Sequence, residues 1–296
     1  MSVKIRKTKK FFLPLALLLL AVFVSLAYNS KKDADKELSV YAYPLVVSFI
    51  DVGQGDCELL QCENYNILID GGEKEQASTV NAYLKSRGVE KIDAYILTHP
   101  HSDHIGAAQQ IISSNKVERV FMTVFSELNI PTTKTYENTL DAIDKYGAEF
   151  TAVTAGKSYS FGNLTLNILS PSHESDDYND MSIIVKAIYK NSSFLFTGDA
   201  TKASEQELLE NNADINADVL KIAHHGSSTS TSEQFLLEVS PEIAVISYGE
   251  GNSYGHPHDE VIHTLEDNNI EYYTTAKNGT IVIASDGKRL YSEVEK

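Results

Sequence analysis

Residues 98–104 read Thr98-His99-Pro100-His101-Ser102-Asp103-His104. The run before them, KIDAYILTH (91–99), reads as a strand, and residues 103–114 read as a helix. The motif therefore sits where a strand hands over to a helix. An extended His-x-His pair turns two imidazoles to the same side. Asp103 and His104 approach from the start of the helix. Four ligand groups within the six residues 99–104 can hold two metal ions close together. Imidazole nitrogen and carboxylate oxygen suit zinc, and iron or manganese as well.

The other histidines repeat this placement. Nine are present, at 99, 101, 104, 173, 224, 225, 256, 258 and 263, and seven of them fall in three short clusters just after predicted strands. Loops at strand ends are where sites are built. LVVSFIDV (45–52) is an apolar, β-branched run stopped by Gly53, and CELLQC (57–62) and NILIDGG (66–72) follow as strands. Residues 75–87 read as a helix stopped at Gly88, VERVFMTVF (117–125) as a strand and 137–147 as a helix, with further strands up to Pro171. The second half keeps the rhythm: a hairpin across 182–199, a helix at 201–210, a strand at 218–224, a helix at 230–239, a strand at 243–249 and a helix at 258–268. EYYTTAK and TIVIAS around Asn278-Gly279 read as a closing hairpin. Each half supplies sheet and helices. The expectation is an α/β (α+β) fold, a two-sheet sandwich with helices outside, as one domain over 44–296.

Composition narrows the function classes. The 296 residues carry a formal net charge of −16, from 25 Lys+Arg against 41 Asp+Glu. A general nucleic-acid coat needs a basic face and is disfavoured. Two cysteines cannot build a disulfide framework or a thiolate zinc site. Cys57 and Cys62 are five apart in one expected strand, so they face opposite ways, about 16 Å apart at strand rise, and should stay free thiols. The charge is uneven. Residues 1–32 hold seven bases and no acid, while 33–296 hold 18 bases against 41 acids. A basic cluster from Lys4 to Lys10 precedes 18 uncharged residues, Phe11 to Tyr28. Residues 1–28 are therefore read as a signal peptide or a membrane anchor, with the basic flank cytoplasmic and everything after it exported. That places the domain on the extracellular face of the membrane or in the medium. Residues 29–43 read as a polar linker.

The H-x-H-x-D-H motif resembles the signature of the metallo-β-lactamase fold, an αββα sandwich, and further motifs follow in the family's order. Asp70, in Leu68-Ile69-Asp70-Gly71-Gly72, resembles the structural aspartate of the first motif. Thr197-Gly198-Asp199 resembles the fourth and Ala223-His224-His225-Gly226 the fifth. A narrower likeness rests on Asp51-Val52-Gly53-Gln54-Gly55-Asp56, Asn179-Asp180-Met181-Ser182, His224-His225-Gly226-Ser227 and Tyr254-Gly255-His256-Pro257-His258. Together these resemble the nuclease-like domain of the ComEC-type DNA-uptake proteins and their freestanding exported relatives, among them phosphorylcholine esterases acting on teichoic acids. In ComEC that domain is attached to a multi-span channel; one apolar segment at most is read here.

The resemblance implies two divalent metal ions, zinc or manganese. His99 and His101 would bind the first. Asp103, His104 and one of His224 and His225 would bind the second, with His225 favoured by its place before Gly226. Asp199 would bridge. The family's third-motif histidine is missing, so Asp180 or Asn179 becomes the candidate ligand, with His173 as rival; an oxygen there would shift preference toward manganese. Asp103, Asp199 and His256 are the catalytic candidates. Ser227, His256 and His258 are the substrate-binding candidates: Ser227 opens an expected helix, where backbone N–H groups receive phosphate or merely cap, and a histidine of the 256–258 turn would protonate the leaving oxygen or hold the phosphoryl group. Asp51, Gly53, Gly55, Asp56 and Asp70 are structural motif residues. No nucleotide-binding pattern is present, so no nucleotide cofactor is expected. The expected activity is hydrolysis of a phosphodiester, in DNA or a teichoic-acid-like polymer. An acyl hydrolase (β-lactamase or lactonase) and a non-enzymatic DNA-uptake accessory are the alternatives. The acid excess speaks against a nuclease unless a basic groove is hidden in it, with Lys221, Lys277, Lys288 and Arg289 as candidate members.

Overall fold

The computed structural model describes residues 39–296. The apolar segment 1–28 and residues 29–38 lie outside the described residues. Among the described residues no helix is long and apolar enough to cross a membrane.

The first half runs β1 (Leu45–Phe49), β2 (Cys57–Cys62), β3 (Tyr65–Asp70), α1 (Ala77–Ser86), β4 (Lys91–Ile92), β5 (Ala94–Ile96), α2 (Ser102–Ile105), α3 (Ala108–Ser114), β6 (Lys116–Val117), β7 (Arg119–Met122), α4 (Lys134–Tyr146) and β8 (Glu149–Ala152). The second runs β9 (Ser158–Phe161), β10 (Leu164–Ser170), β11 (Ile184–Tyr189), β12 (Ser192–Phe196), α5 (Lys202–Glu210), β13 (Val219–Lys221), α6 (Glu233–Val239), β14 (Ile243–Ile246), α7 (Asp259–Asp267), β15 (Glu271–Thr274), α8 (Thr275–Asn278), β16 (Ile281–Ser285) and β17 (Leu290–Val294). One eight-stranded sheet has the order β17-β16-β1-β2-β3-β5-β7-β8, and a seven-stranded sheet has the order β15-β14-β13-β12-β11-β10-β9.

Strand alternation explains the layers. Val47, Phe49, Leu60 and Ile67 on one sheet face Val185, Phe194, Phe196 and Val219 on the other, and form the central core. The opposite face of the first sheet, through Leu59, Leu68 and Tyr95, buries against Val80 and Leu84 of α1, Ile111 of α3 and Ile143 of α4. The second sheet does the same, with Leu195, Leu220 and Ala244 against Leu208, Phe235, Leu236, Val261 and Leu265. The layer order is helix, sheet, sheet, helix. Cys57 belongs to the outer core and Cys62 to the inner one, and both are free and buried.

Three local readings change. The closing hairpin does not form: β15 pairs with β14 in one sheet while β16 pairs with β1 in the other. The short α8 between them redirects the chain, with Asn278 Oδ1 accepting the Thr274 N–H at 2.9 Å. Among the described residues packing reaches back to Val40, ahead of residue 44. Val40 buries against Val46 and Val282, and the Tyr43 ring stacks on Tyr291 at 4.1 Å, because the end of the sheet would otherwise leave apolar surface open. The helix expected at 230–239 starts at Glu233, where Ser232 Oγ caps it by accepting the Phe235 N–H.

Candidate metal centre

Parallel pairing sends β3, β5, β12, β13 and β14 out at one rim of the sandwich. The loops that follow them carry Asp70, His99 to His104, Asp199, His224 to His225 and His256, so chain direction alone gathers these side chains at the carboxyl ends of the strands. Asp70 ties the first loop in place. Its Oδ1 accepts the Thr98 N–H at 2.8 Å, and its Oδ2 accepts the Thr98 hydroxyl at 2.6 Å and the His104 Nδ1–H at 2.8 Å. Gly55 lets the glycine-rich turn lie against this loop: a Cβ there, at φ +123°, would stand 2.1 Å from the Asp103 carbonyl oxygen. His224 and His225 both take left-handed backbone, at φ 50° and 55°, which costs energy for residues with a Cβ and turns the two imidazoles into the rim.

Among the described residues three donor groups result, two of which share Asp199; the third, Asp56 with Asp70 and His104, is spanned by the hydrogen bond from His104 to Asp70. Ligand atoms of Asp103, His104, Asp199 and His225 lie within 4.8 Å of one another, and so do those of His99, His101 and Asp199. His104 Nε2 is 3.1 Å from Asp199 Oδ1, and His225 Nε2 is 3.2 Å from Asp103 Oδ2 and 3.5 Å from Asp199 Oδ1. His104 Nε2, Asp199 Oδ1 and His225 Nε2 are buried and have no hydrogen-bond partner among the described residues. Each such atom costs about 1–3 kcal/mol if left unsatisfied. A cation among them satisfies all three at once, and nitrogen with carboxylate oxygen is the donor set of divalent transition metals. The charged groups of the cluster also compensate one another. Burial alone would raise the carboxyls of Asp103 and Asp199, yet the His104 and His225 imidazoles hold both well below the usual range. Burial would lower His225, but the carboxylates of Asp199 and Asp56 hold it at about 10. The residues present fit a divalent metal.

His224 stands beside this group rather than in it, with Nε2 at 3.7 Å from Asp199 Oδ2 and Nδ1 at 3.1 Å from the Thr229 hydroxyl. A cavity of about 340 Å³ opens above the cluster, lined by Gln54, His101, Ser102, Asp103, Asp199, His224, His225, Tyr254 and His256. No Lys or Arg among the described residues lines it. His256 is held by Asn252, whose Oδ1 accepts the His256 N–H at 3.0 Å while its Nδ2 donates to the His256 carbonyl at 2.7 Å. Burial, then the neighbouring His225 and His224, bring the His256 imidazole down to about 4.

Several expected site residues lie elsewhere. Asp180 is not in the cluster: its Oδ1 accepts the hydroxyls of Thr201 at 2.5 Å and Ser204 at 3.1 Å, at the start of α5. A helix N-terminus attracts that carboxylate. Asn179 beside it keeps a buried Oδ1 with no partner. Ser227 is buried and cannot reach a substrate, its hydroxyl lying 3.0 Å from that of Thr229. No phosphate cradle forms there, because the N–H groups of Ser227, Ser228 and Thr229 go to His224 O, His258 Nδ1 and Ser227 Oγ. His258 thus braces the loop through its Nδ1 instead of lining the cavity. His173 is an exposed residue 3.1 Å from Glu207, away from all three donor groups. Asp51 makes a turn by accepting the Gly53 N–H. Lys221 does not join a surface groove; it is buried under the cluster, 2.8 Å from Asp56. Gln54 and Tyr254 were legible only as parts of motifs and Asn252 carried no signal; Tyr254, stacked on His256 at 5.6 Å, stays exposed at the mouth of the cavity.

The sandwich and its rim define a metallo-β-lactamase-fold protein. The model of the Metallo-beta-lactamase superfamily matches residues 50–120. More particularly, the chain resembles competence proteins. It is 32% identical over 266 residues to ComE operon protein 3 of Bacillus subtilis (strain 168), covering 82% of this chain and 34% of that protein. It is 29% identical over 271 residues to Competence protein ComA of Neisseria gonorrhoeae, covering 90% of this chain and 35% of that protein. The chain thus spans about a third of the length of these curated relatives. Among solved structures, the metallo-beta-lactamase fold protein YhfI from Bacillus subtilis superposes with a TM-score of 0.54 at 15% identity, covering 85% of this chain and 100% of that one. At that identity it speaks for the fold alone.

Proposed function

We propose that this chain is a metal-dependent phosphodiesterase acting on the outer side of a membrane. The observation that carries the reading is the convergence of unpartnered His104, Asp199 and His225 atoms at and beneath an open cavity that no Lys or Arg of the described residues lines. Such a cavity leaves a substrate's negative charge to the cations it holds. Two divalent ions, zinc or manganese, suit the two donor groups that share Asp199. His99 and His101 would hold one with Asp199, with the unpartnered Asn179 oxygen as candidate further ligand; Asp103, His104 and His225 would hold the other. Bound cations of this kind acidify water and neutralise charge developing on a phosphoryl oxygen.

The chain's own groups complete the site. Asp70 holds His104 in one tautomer and orientation. His256, neutral near pH 7, holds the phosphoryl group through a hydrogen bond rather than serving as a charged acid. The names of the relatives, competence proteins, favour a nucleic-acid phosphodiester over an acyl bond, and a teichoic-acid-like polymer offers the same linkage. The basic cluster and apolar run before residue 29 would export or anchor the domain.

The test is hydrolysis by the full-length chain supplied with manganese or zinc. Bis-p-nitrophenyl phosphate, single-stranded DNA, p-nitrophenylphosphorylcholine and nitrocefin separate the readings. Turnover of a phosphodiester and none of nitrocefin is expected. Turnover of nitrocefin alone makes the chain an acyl hydrolase; cation uptake without any turnover makes it an accessory.

A further inference from the structure

Lys221 ends β13 directly below the rim and is 1% exposed. Its Nζ donates to Asp56 Oδ2 at 2.8 Å and to the Ile222 carbonyl at 3.0 Å. The other carboxylate oxygen of Asp56 lies 3.4 Å from Nδ1 of His225. The Asp56 backbone binds the neighbouring segments as well. Its N–H donates to the Asp103 carbonyl at 3.2 Å, and its carbonyl accepts the Gly72 N–H at 2.9 Å. One residue is thus joined to the loops that carry Asp103, Asp70 and His225, and Lys221 is the only basic side chain among the described residues that ion-pairs with it, apart from His225 itself.

Stability does not explain a lysine here. Taking an ammonium and a carboxylate out of water costs several kcal/mol per ion, and a well-packed apolar pair often serves a fold as well. The pair does something an apolar pair cannot. It fixes the Asp56 carboxylate with its other oxygen 3.4 Å from His225 Nδ1, beside the Ser247 carbonyl that accepts the Nδ1–H, so that negative charge favours the ring with Nδ1 on this side. In that orientation Nδ1–H donates to the Ser247 carbonyl at 2.9 Å, and Nε2 faces Asp103 and Asp199. We infer that Lys221 is a positioning residue for the metal centre: through Asp56 it orients His225 toward the cation. This rests on the reading of the cluster as a metal centre.

The experiment uses the full-length chain, Lys221→Met, and the double variant Asp56→Asn/Lys221→Met, which removes both charges of the pair and leaves the buried Glu58 carboxyl in place. Cobalt(II) is the probe, titrated while its visible absorption is followed, with thermal unfolding measured on the cobalt-free proteins. Both variants are expected to fold and to bind cobalt about 10–100-fold more weakly, with an altered absorption spectrum. If Lys221→Met fails to fold, the double variant decides. Cobalt affinity and spectrum equal to wild type in a folded variant overturn the role of Lys221 while leaving the metal centre standing. A wild-type chain that takes up no cobalt removes the centre and the inference together.

Discussion

Nε2 of His104 and Oδ1 of Asp199 stand 3.1 Å apart, both buried and neither hydrogen-bonded. The pair comes from loops on different sheets, so a cation between them also joins the two halves of the sandwich. Divalent metal should therefore stabilise the fold. At a hundredfold excess over Kd the gain is about 2.7 kcal/mol. Chelation should lower Tm accordingly, read by calorimetry. Asp199→Ala should abolish activity and cation uptake, keep the far-UV spectrum, and show a Tm indifferent to metal. A Tm that still rises with metal in Asp199→Ala would place the binding site elsewhere.

Asp180 and Asn179 are neighbours with different surroundings. The Asp180 carboxylate accepts two hydroxyls at the start of α5, whereas the Asn179 oxygen is buried and free. The turn holding them touches the centre, since the Tyr178 ring lies 6.1 Å from that of His101 and Ser182 Oγ accepts the Asp199 N–H at 3.1 Å. We expect Asp180→Ala to lose about 1 kcal/mol of stability with metal content unchanged. Asn179→Ala should do the reverse, weakening metal uptake with little change in the metal-free Tm. The opposite pattern in urea unfolding and metal analysis would return the ligand role to Asp180.

Gly55 and Gly88 both take positive φ, at +123° and +69°, but a Cβ at Gly88 meets nothing within 4 Å. Gly88→Ala should cost about 1 kcal/mol, the backbone term alone. Gly55→Ala should cost on the order of 3 kcal/mol and weaken metal binding, because the Asp103 carbonyl must move. Equal losses in denaturant unfolding would mean that the close approach is not what requires glycine.

The two thiols test the sheet assignment. Burial pushes the Cys62 thiol up to about 11 and Cys57 well above its ordinary range. An unfolded thiol ionises near about 8.5. The contribution of these groups to stability is therefore whole below that pH and is lost as pH rises toward about 11. The native chain should give no thiol titre with Ellman's reagent at pH 8, and two thiols after unfolding in guanidinium. A fast native reaction would show that one of the two strand faces is open.

Much of this was open to reading in one dimension. The motif from His99 to His104 is local, and its spacing supplies His99 and His101 to one donor group and Asp103 and His104 to the other. The opposite facing of Cys57 and Cys62 follows from the two-residue period of a strand, and the alternation of strands and helices pointed to the layered sandwich. Neighbouring residues of like chemistry could not be told apart. Asp180 and Asn179 both offer an oxygen, and His224 and His225 both offer an imidazole; Ser227 and Ser228 both offer a hydroxyl and an N–H.

The residues of the chain by themselves determined which ligand atoms exist and at which strand ends they lie, because strand period and motif spacing act within a few bonds. Only the tertiary structure decided which atoms remain free for a cation. Asp180 was claimed by Thr201 and Ser204 and His258 by Ser228, while Lys221 was drawn under the centre by an aspartate 165 residues away. A polar atom leaving water takes whichever partner the fold brings within reach. That choice is set by the crossing of distant segments, which no local pattern encodes.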